Sequence, residues 1–139
     1  MLGLLIADED INSRKQMADI FIEAGYDVMV STSAANVING ILKKTAQVLL
    51  LSDEFDELTA SDLIPLLKKC NRNITIILVS DNVSPLLIRR LRKEGIFYHA
   101  LKPLKAEDRE EIRLAVQCAF ENLAQREIEK GLGNERRGI

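Results

Sequence analysis

Short apolar runs alternate five times with longer segments of helical period along this chain, and that alternation limits the available folds more than any other feature. The middle run, Val48 to Leu51, is apolar without a break. A strand that is apolar on both faces needs helices above and below it, so it belongs inside a parallel sheet. Leu2–Ala7 and Ile74–Val79 have the same character, while Tyr26–Val30 and Ile96–Leu101 are shorter in apolar content but β-prone.

The intervening segments read as helices with one apolar face each. Met17, Ile20, Phe21 and Ala24 give the first, with Gly25 as its C′ residue. Val37, Ile38, Ile41 and Leu42 give the second, and Leu63, Ile64, Leu66 and Leu67 the third. Pro65 falls within that third face, so the helix is expected to start late enough to keep the proline in its first turn. Ser84-Pro85 reads as an N-cap followed by a first-turn proline, Leu87, Ile88 and Leu91 form the fourth face, and Gly95 ends it. The fifth helix begins near Lys105 and buries Ile112, Ala115, Val116, Ala119, Phe120 and Leu123. The pattern predicts an α/β fold of the flavodoxin-like (βα)5 class: a five-stranded parallel sheet in order 2-1-3-4-5 with helices on both faces. Residues 1–124 form the expected domain, and 125–139 a helix extension and flexible tail, with nothing to bury after about Glu129.

Composition removes several functions. The formal net charge is 19 − 21 = −2, without the basic excess that holds a nucleic acid backbone, so no nucleic acid contact is expected. No apolar run approaches the roughly 18–20 residues of a membrane span. The apolar start meets Asp8-Glu9-Asp10 too early for a secretory signal. Cys70 and Cys118 lie far apart and read as free thiols, so a cytoplasmic location is expected. His99 is the single histidine, which removes any multi-histidine metal site.

In an open parallel sheet, ligands bind beyond the carboxyl ends of the strands, at the switch between the first and third. Asp8, Glu9 and Asp10 leave the first strand there. Ser52 and Asp53, followed by Glu54, Asp56 and Glu57, leave the third. Ser80 ends the fourth and Lys102 the fifth. Clustered carboxylates suit a hard divalent cation such as Mg²⁺. A metal, a lysine and a hydroxyl are what a phosphoryl group needs around it. No Gly-rich loop follows the first strand, so no nucleotide cradle is expected there.

These marks together resemble the receiver domain of bacterial two-component response regulators, over roughly residues 2–124. The resemblance rests on Asp8-Glu9 after the first strand, Ser80 ending the fourth and Lys102-Pro103 ending the fifth. In that family the acidic pair binds Mg²⁺, an aspartate ending the third strand accepts a phosphoryl group, and the hydroxyl and lysine contact it. The resemblance therefore implies metal binding by Asp8, Glu9 and Asp53, phosphoryl contacts from Ser80 and Lys102, and a cis Lys102–Pro103 bond.

The phosphoacceptor position reads two ways. An ungapped frame, which sets Ala60 at the family's glycine and Leu63, Ile64 and Leu67 on the helix face, places Ser52 there. A hydroxyl with no base beside it is a poor acceptor. A second frame places Asp53 there and needs a bulge at the strand end. His99 occupies the family's switch position, usually aromatic, three residues before the lysine.

Three functions follow. The first is a degenerate pseudo-receiver, a non-enzymatic signalling module that docks to a sensor histidine kinase or another signalling protein. The second is an active single-domain response regulator phosphorylated on Asp53 with Mg²⁺. The third is a small haloacid-dehalogenase-like phosphatase, whose Asp-x-Asp motif Asp8-Glu9-Asp10 resembles. Basic Arg89, Arg90, Arg92 and Lys93 on helix four read either as a solvated face or as a surface that pairs with Glu107, Asp108, Glu110 and Glu111 of a second copy; helix four, strand five and helix five are the usual homodimer face of the family this chain resembles.

Overall fold

The computed structural model describes residues 2–82 and 84–137. Strands and helices alternate as β1 (Gly3–Ala7), α1 (Ile11–Glu23), β2 (Asp27–Ser31), α2 (Ala34–Leu42), β3 (Val48–Ser52), α3 (Ala60–Cys70), β4 (Thr75–Ser80), α4 (Pro85–Glu94), β5 (Tyr98–Leu101) and α5 (Ala106–Arg137). The sheet runs β2-β1-β3-β4-β5 with every pair parallel, the order expected from the sequence. A small antiparallel hairpin, Glu54–Phe55 against Leu58–Thr59, sits between β3 and α3 and was not expected.

The three inner strands, β1, β3 and β4, are buried along their whole length, which explains their unbroken apolar runs. Alternate residues serve opposite layers. Leu5, Leu49, Leu51, Ile76 and Leu78 pack with Val37, Ile41, Ile64 and Leu91 in the layer of α2, α3 and α4. Leu4, Ile6, Val48, Leu50, Ile77 and Val79 pack with Met17, Phe21, Val116 and Phe120 in the layer of α1 and α5. Tyr26 ties the second layer together, edge-on to Phe21 at 5.9 Å and stacked on Phe120 at 5.1 Å between ring centres.

Side-chain caps start the helices where strands end. Asp10 accepts from the Asn12 N–H, Ser33 from Asn36, Thr59 from Asp62 and Ser84 from Leu87. Gly95 closes α4 with a left-handed φ of 105° that a side chain would oppose.

Three expectations need correction. Pro65 lies inside α3, because Thr59 caps the helix in the turn that precedes Leu63; the half-exposed Ser61 carbonyl, one turn back, faces no proline N–H. No cis peptide occurs among the described residues, so Lys102–Pro103 is trans. The stretch after Glu129, expected to fray, is helical to Arg137. Lys130, Glu135, Arg136 and Arg137 favour helix without needing burial and offset the glycines at 131 and 133. Residues 138 and 139 of the expected tail lie outside the described residues. No helix among the described residues is long and apolar enough to cross a membrane, and Cys70 and Cys118 are both free.

Candidate functional site

The corner beyond β1, β3, β4 and β5 holds the chemistry-bearing residues, but the structure sorts them into two groups. The first centres on Asp8, which is only 2% exposed. One carboxylate oxygen, Oδ1, accepts the Asp10 N–H at 2.9 Å, and the Asp8 carbonyl accepts from the Arg14 guanidinium at 3.0 Å. The other oxygen, Oδ2, has no hydrogen-bond partner. Its nearest countercharge is the Lys102 ammonium at 3.9 Å, which lies equally far from Asp10 Oδ2. Lys102 is thus the cation of this corner, set between two acids of the β1–α1 turn.

The second group centres on Ser80. Its Oγ donates to the Asn82 carbonyl at 2.7 Å and meets His99 Nε2 at 2.7 Å. A hydroxyl has one proton, so with that proton on Asn82 the contact to His99 requires the imidazole to donate from Nε2. Burial pushes the His99 imidazole below its usual value; Glu111 and Asp53 oppose that shift, and Arg92 reinforces it.

Strand register explains the division. Ser80 pairs with Leu101, and the Lys102 N–H donates to the Ser80 carbonyl, so the two residues sit on adjoining strand ends. Ser80 follows Leu78 on the α2–α3–α4 face, whereas Lys102 follows Ala100 on the α1–α5 face. The two expected phosphoryl contacts therefore point apart, one to His99 and the other to Asp8. The same parity separates the two acceptor candidates. Ser52, 5% exposed, continues the Val48–Leu50 face on the side of Asp8 and Lys102. Asp53 is half-buried and follows Leu51 toward the face of Ser80; its N–H donates to the Val79 carbonyl at 3.3 Å.

Glu9 turns to the hairpin at the edge of the corner. Its carboxylate accepts the backbone N–H of Asp56 in the hairpin. Asp56 in turn accepts the Ala34 N–H at 2.9 Å, so its carboxylate also sits at the N-terminus of α2. Asp56 and Glu57 form the two-residue turn of the hairpin, with left-handed φ values of 53° and 62°. Among the described residues no three carboxylate, histidine or cysteine side chains converge closely enough to hold a metal ion. Of the expected Mg²⁺ set of Asp8, Glu9 and Asp53, Glu9 accepts from the hairpin backbone and Asp8 has the Lys102 ammonium as its nearest countercharge. Asp10, the second acid of the phosphatase-like motif, caps α1 with one carboxylate oxygen.

Arg14 and Asn82 belong to this corner and were not singled out from the sequence, and Asp56 was named only as one of a run of acids. A run of acids after a strand reads as a solvated loop, and Asp-Glu lacks the glycine that marks a two-residue hairpin.

No family model matches the chain. Among curated proteins it is similar to the DNA-binding transcriptional regulator NtrC of Bradyrhizobium sp. (strain RP501 Parasponia), at 23% identity over 106 residues, 76% of this chain and 22% of that protein. The chain spans about a fifth of the length of the curated relatives it matches, 22% and 21%. Among solved structures it superposes on a response regulator receiver domain protein from Clostridium thermocellum with a TM-score of 0.78 at 16% identity, covering 90% of this chain and 98% of that one. The Francisella response regulator 1452 receiver domain gives a TM-score of 0.78 at 21% identity, covering 88% and 99%. The fold is that of response-regulator receiver domains.

Proposed function

We propose that this chain, which has the receiver-domain fold, is a signalling module of a two-component system that acts by docking to another protein and does not depend on phosphoryl transfer. The observation that supports this most is the position of Lys102. The chain's own ammonium lies between Asp8 and Asp10, where a receiver would present acids to a metal. Ser52 lies on the same side of the sheet and offers a hydroxyl in place of a carboxylate, a weaker phosphoryl acceptor. One carboxylate oxygen of Glu9 is engaged by the hairpin backbone. In this reading Asp8, Asp10 and Lys102 hold the strand ends together, and the Ser80–His99 contact fixes the β4–α4 connection next to α4.

The partner is a sensor histidine kinase or another signalling protein, or a second copy of the chain. Exposed Leu86, Phe97, Tyr98, Leu104 and Leu114 fall on α4, β5, α5 and the loops that join them, and suit such docking.

One observation favours a second reading, phosphorylation on Asp53. Register continues Asp53 beside Ser80, and its side chain remains partly accessible. Incubation with acetyl phosphate and with a phosphohistidine donor, each with Mg²⁺, followed by intact mass, separates the two. The docking reading expects no added phosphoryl group. A gain that Asp53→Asn abolishes overturns it in favour of the second.

A further inference from the structure

The opposite end of the sheet carries a second site. A cleft of about 280 Å³ opens where the loops before β3 and β4 meet the later turns of α5. That volume is at the lower edge of the roughly 300–1,000 Å³ typical of small-molecule sites. Ala46 and Ile74, each 2% exposed, and half-buried Leu123 make an apolar floor. Lys44, Arg126 and Lys130 stand at its walls, against a single acid, Glu127. A fourth cation, Lys68, donates to the Ile74 carbonyl at 2.7 Å.

These cations lack anions. Among the described residues none of Lys44, Lys68, Arg126 and Lys130 forms an ion pair. Lys68 titrates below its usual value, chiefly through burial and further through the charge of Arg126, so the cations stand close enough to repel. Amide groups add neutral donors. Gln47 uses its carbonyl oxygen to accept the Gly3 N–H, and Asn71 uses its own to accept the Asn73 N–H. That leaves the Asn71 NH₂ without a partner among the described residues and the Asn73 side chain unengaged.

We infer that this cleft binds an organic phosphate of about mononucleotide size, its phosphate held by Arg126, Lys130 and Lys44 and its apolar body on Ala46, Ile74 and Leu123. An arginine fork with two lysines matches phosphate oxygens. The apolar floor distinguishes the site from a bare anion patch. Arg126 and Lys130 lie on the part of α5 beyond its last core contacts, so the helical extension itself builds the cleft.

The test titrates the whole chain with AMP, adenosine and inorganic phosphate, read by side-chain and backbone amide NMR shifts. AMP is expected to shift the Gln47, Asn71 and Asn73 side-chain amides in a saturable way. Arg126→Glu and Lys130→Glu, both exposed helix positions, each weaken AMP by about tenfold or more, the loss of a charge-assisted contact. Arg90→Glu makes the same charge change on α4 and leaves AMP binding unchanged, with circular dichroism confirming the fold of all three. Adenosine binding as tightly as AMP overturns the phosphate role. Inorganic phosphate binding as tightly as AMP overturns the role of the apolar floor. No saturable shift at about 10 mM AMP, or equal weakening by Arg90→Glu, overturns the site.

Discussion

Replacing Lys102 with methionine tests the central feature of the corner, the buried Asp8 that depends on it. At 3.9 Å and an effective dielectric of about 20, the attraction between the two charges is about 4 kcal/mol. Desolvation offsets part of this in the native protein, but removing only the lysine leaves the cost and deletes the gain. Breaking a buried pair in this way costs about 3–5 kcal/mol. Lys102 retains 12% side-chain exposure, which sets the expectation at the lower end, about 3 kcal/mol. For a chain of 139 residues that lowers Tm by about 10 °C. Asp8→Asn keeps the oxygen that accepts the Asp10 N–H and removes the buried charge, so it costs less, about 1–2 kcal/mol. With neither charge buried, the double variant costs about 2 kcal/mol less than the sum of the two. Urea and thermal unfolding of the four proteins, followed by circular dichroism, measure the cycle. A cost below about 1 kcal/mol for Lys102→Met, or additive costs, refutes the reasoning.

Four further outcomes are expected. MgCl₂ at about 10 mM raises the wild-type Tm by less than about 1.5 °C, because a ligand at or below its Kd contributes about 0.4 kcal/mol or less; a larger rise in a thermal scan means the carboxylates do assemble around the ion. Because the folded His99 titrates below its unfolded value of 6.5, the unfolded chain takes up its proton first as pH falls. The stability from this group is therefore complete above pH 6.5 and lost as pH drops through the folded value, and His99→Phe removes that component from urea midpoints measured at neutral and acidic pH. Glu57→Gly relieves a left-handed φ of 62° and stabilises by up to about 1 kcal/mol, unless the glycine's added freedom in the unfolded chain cancels it; a loss of stability in urea unfolding contradicts the turn assignment. Asp56→Ala removes the acceptor of the Ala34 N–H and costs about 1 kcal/mol by the same measurement, and no change means α2 is capped without it.

The architecture was legible in the sequence because it rests on patterns local to each element. Unbroken apolar runs at Val48–Leu51 and Ile74–Val79 mark strands covered on both sides, and helical spacing at Met17, Ile20 and Phe21 marks a packed face. The corner was legible only as a list of residues. Which face Ser80 and Lys102 take depends on the register between β4 and β5, a relation between distant segments that no single strand encodes. Parity of position within each strand gives alternation but not its phase relative to the neighbour. The start of α3 was missed because its signal is polar: Thr59 and Asp62 exchange cap hydrogen bonds in the turn that precedes Leu63, the first large apolar residue of the face.

The length of α5 has a mechanical consequence. Its 32 residues extend about 48 Å at about 1.5 Å per residue. Lys130 still lines the cleft against the loops before β3 and β4, so the stretch beyond it to Arg137 is an arm of about 10 Å on the same rise. A pivot of about 10° at Lys130 swings the end of such an arm by about 2 Å, given its helical rise. Such a shift moves the helix end without touching the core or the cleft wall.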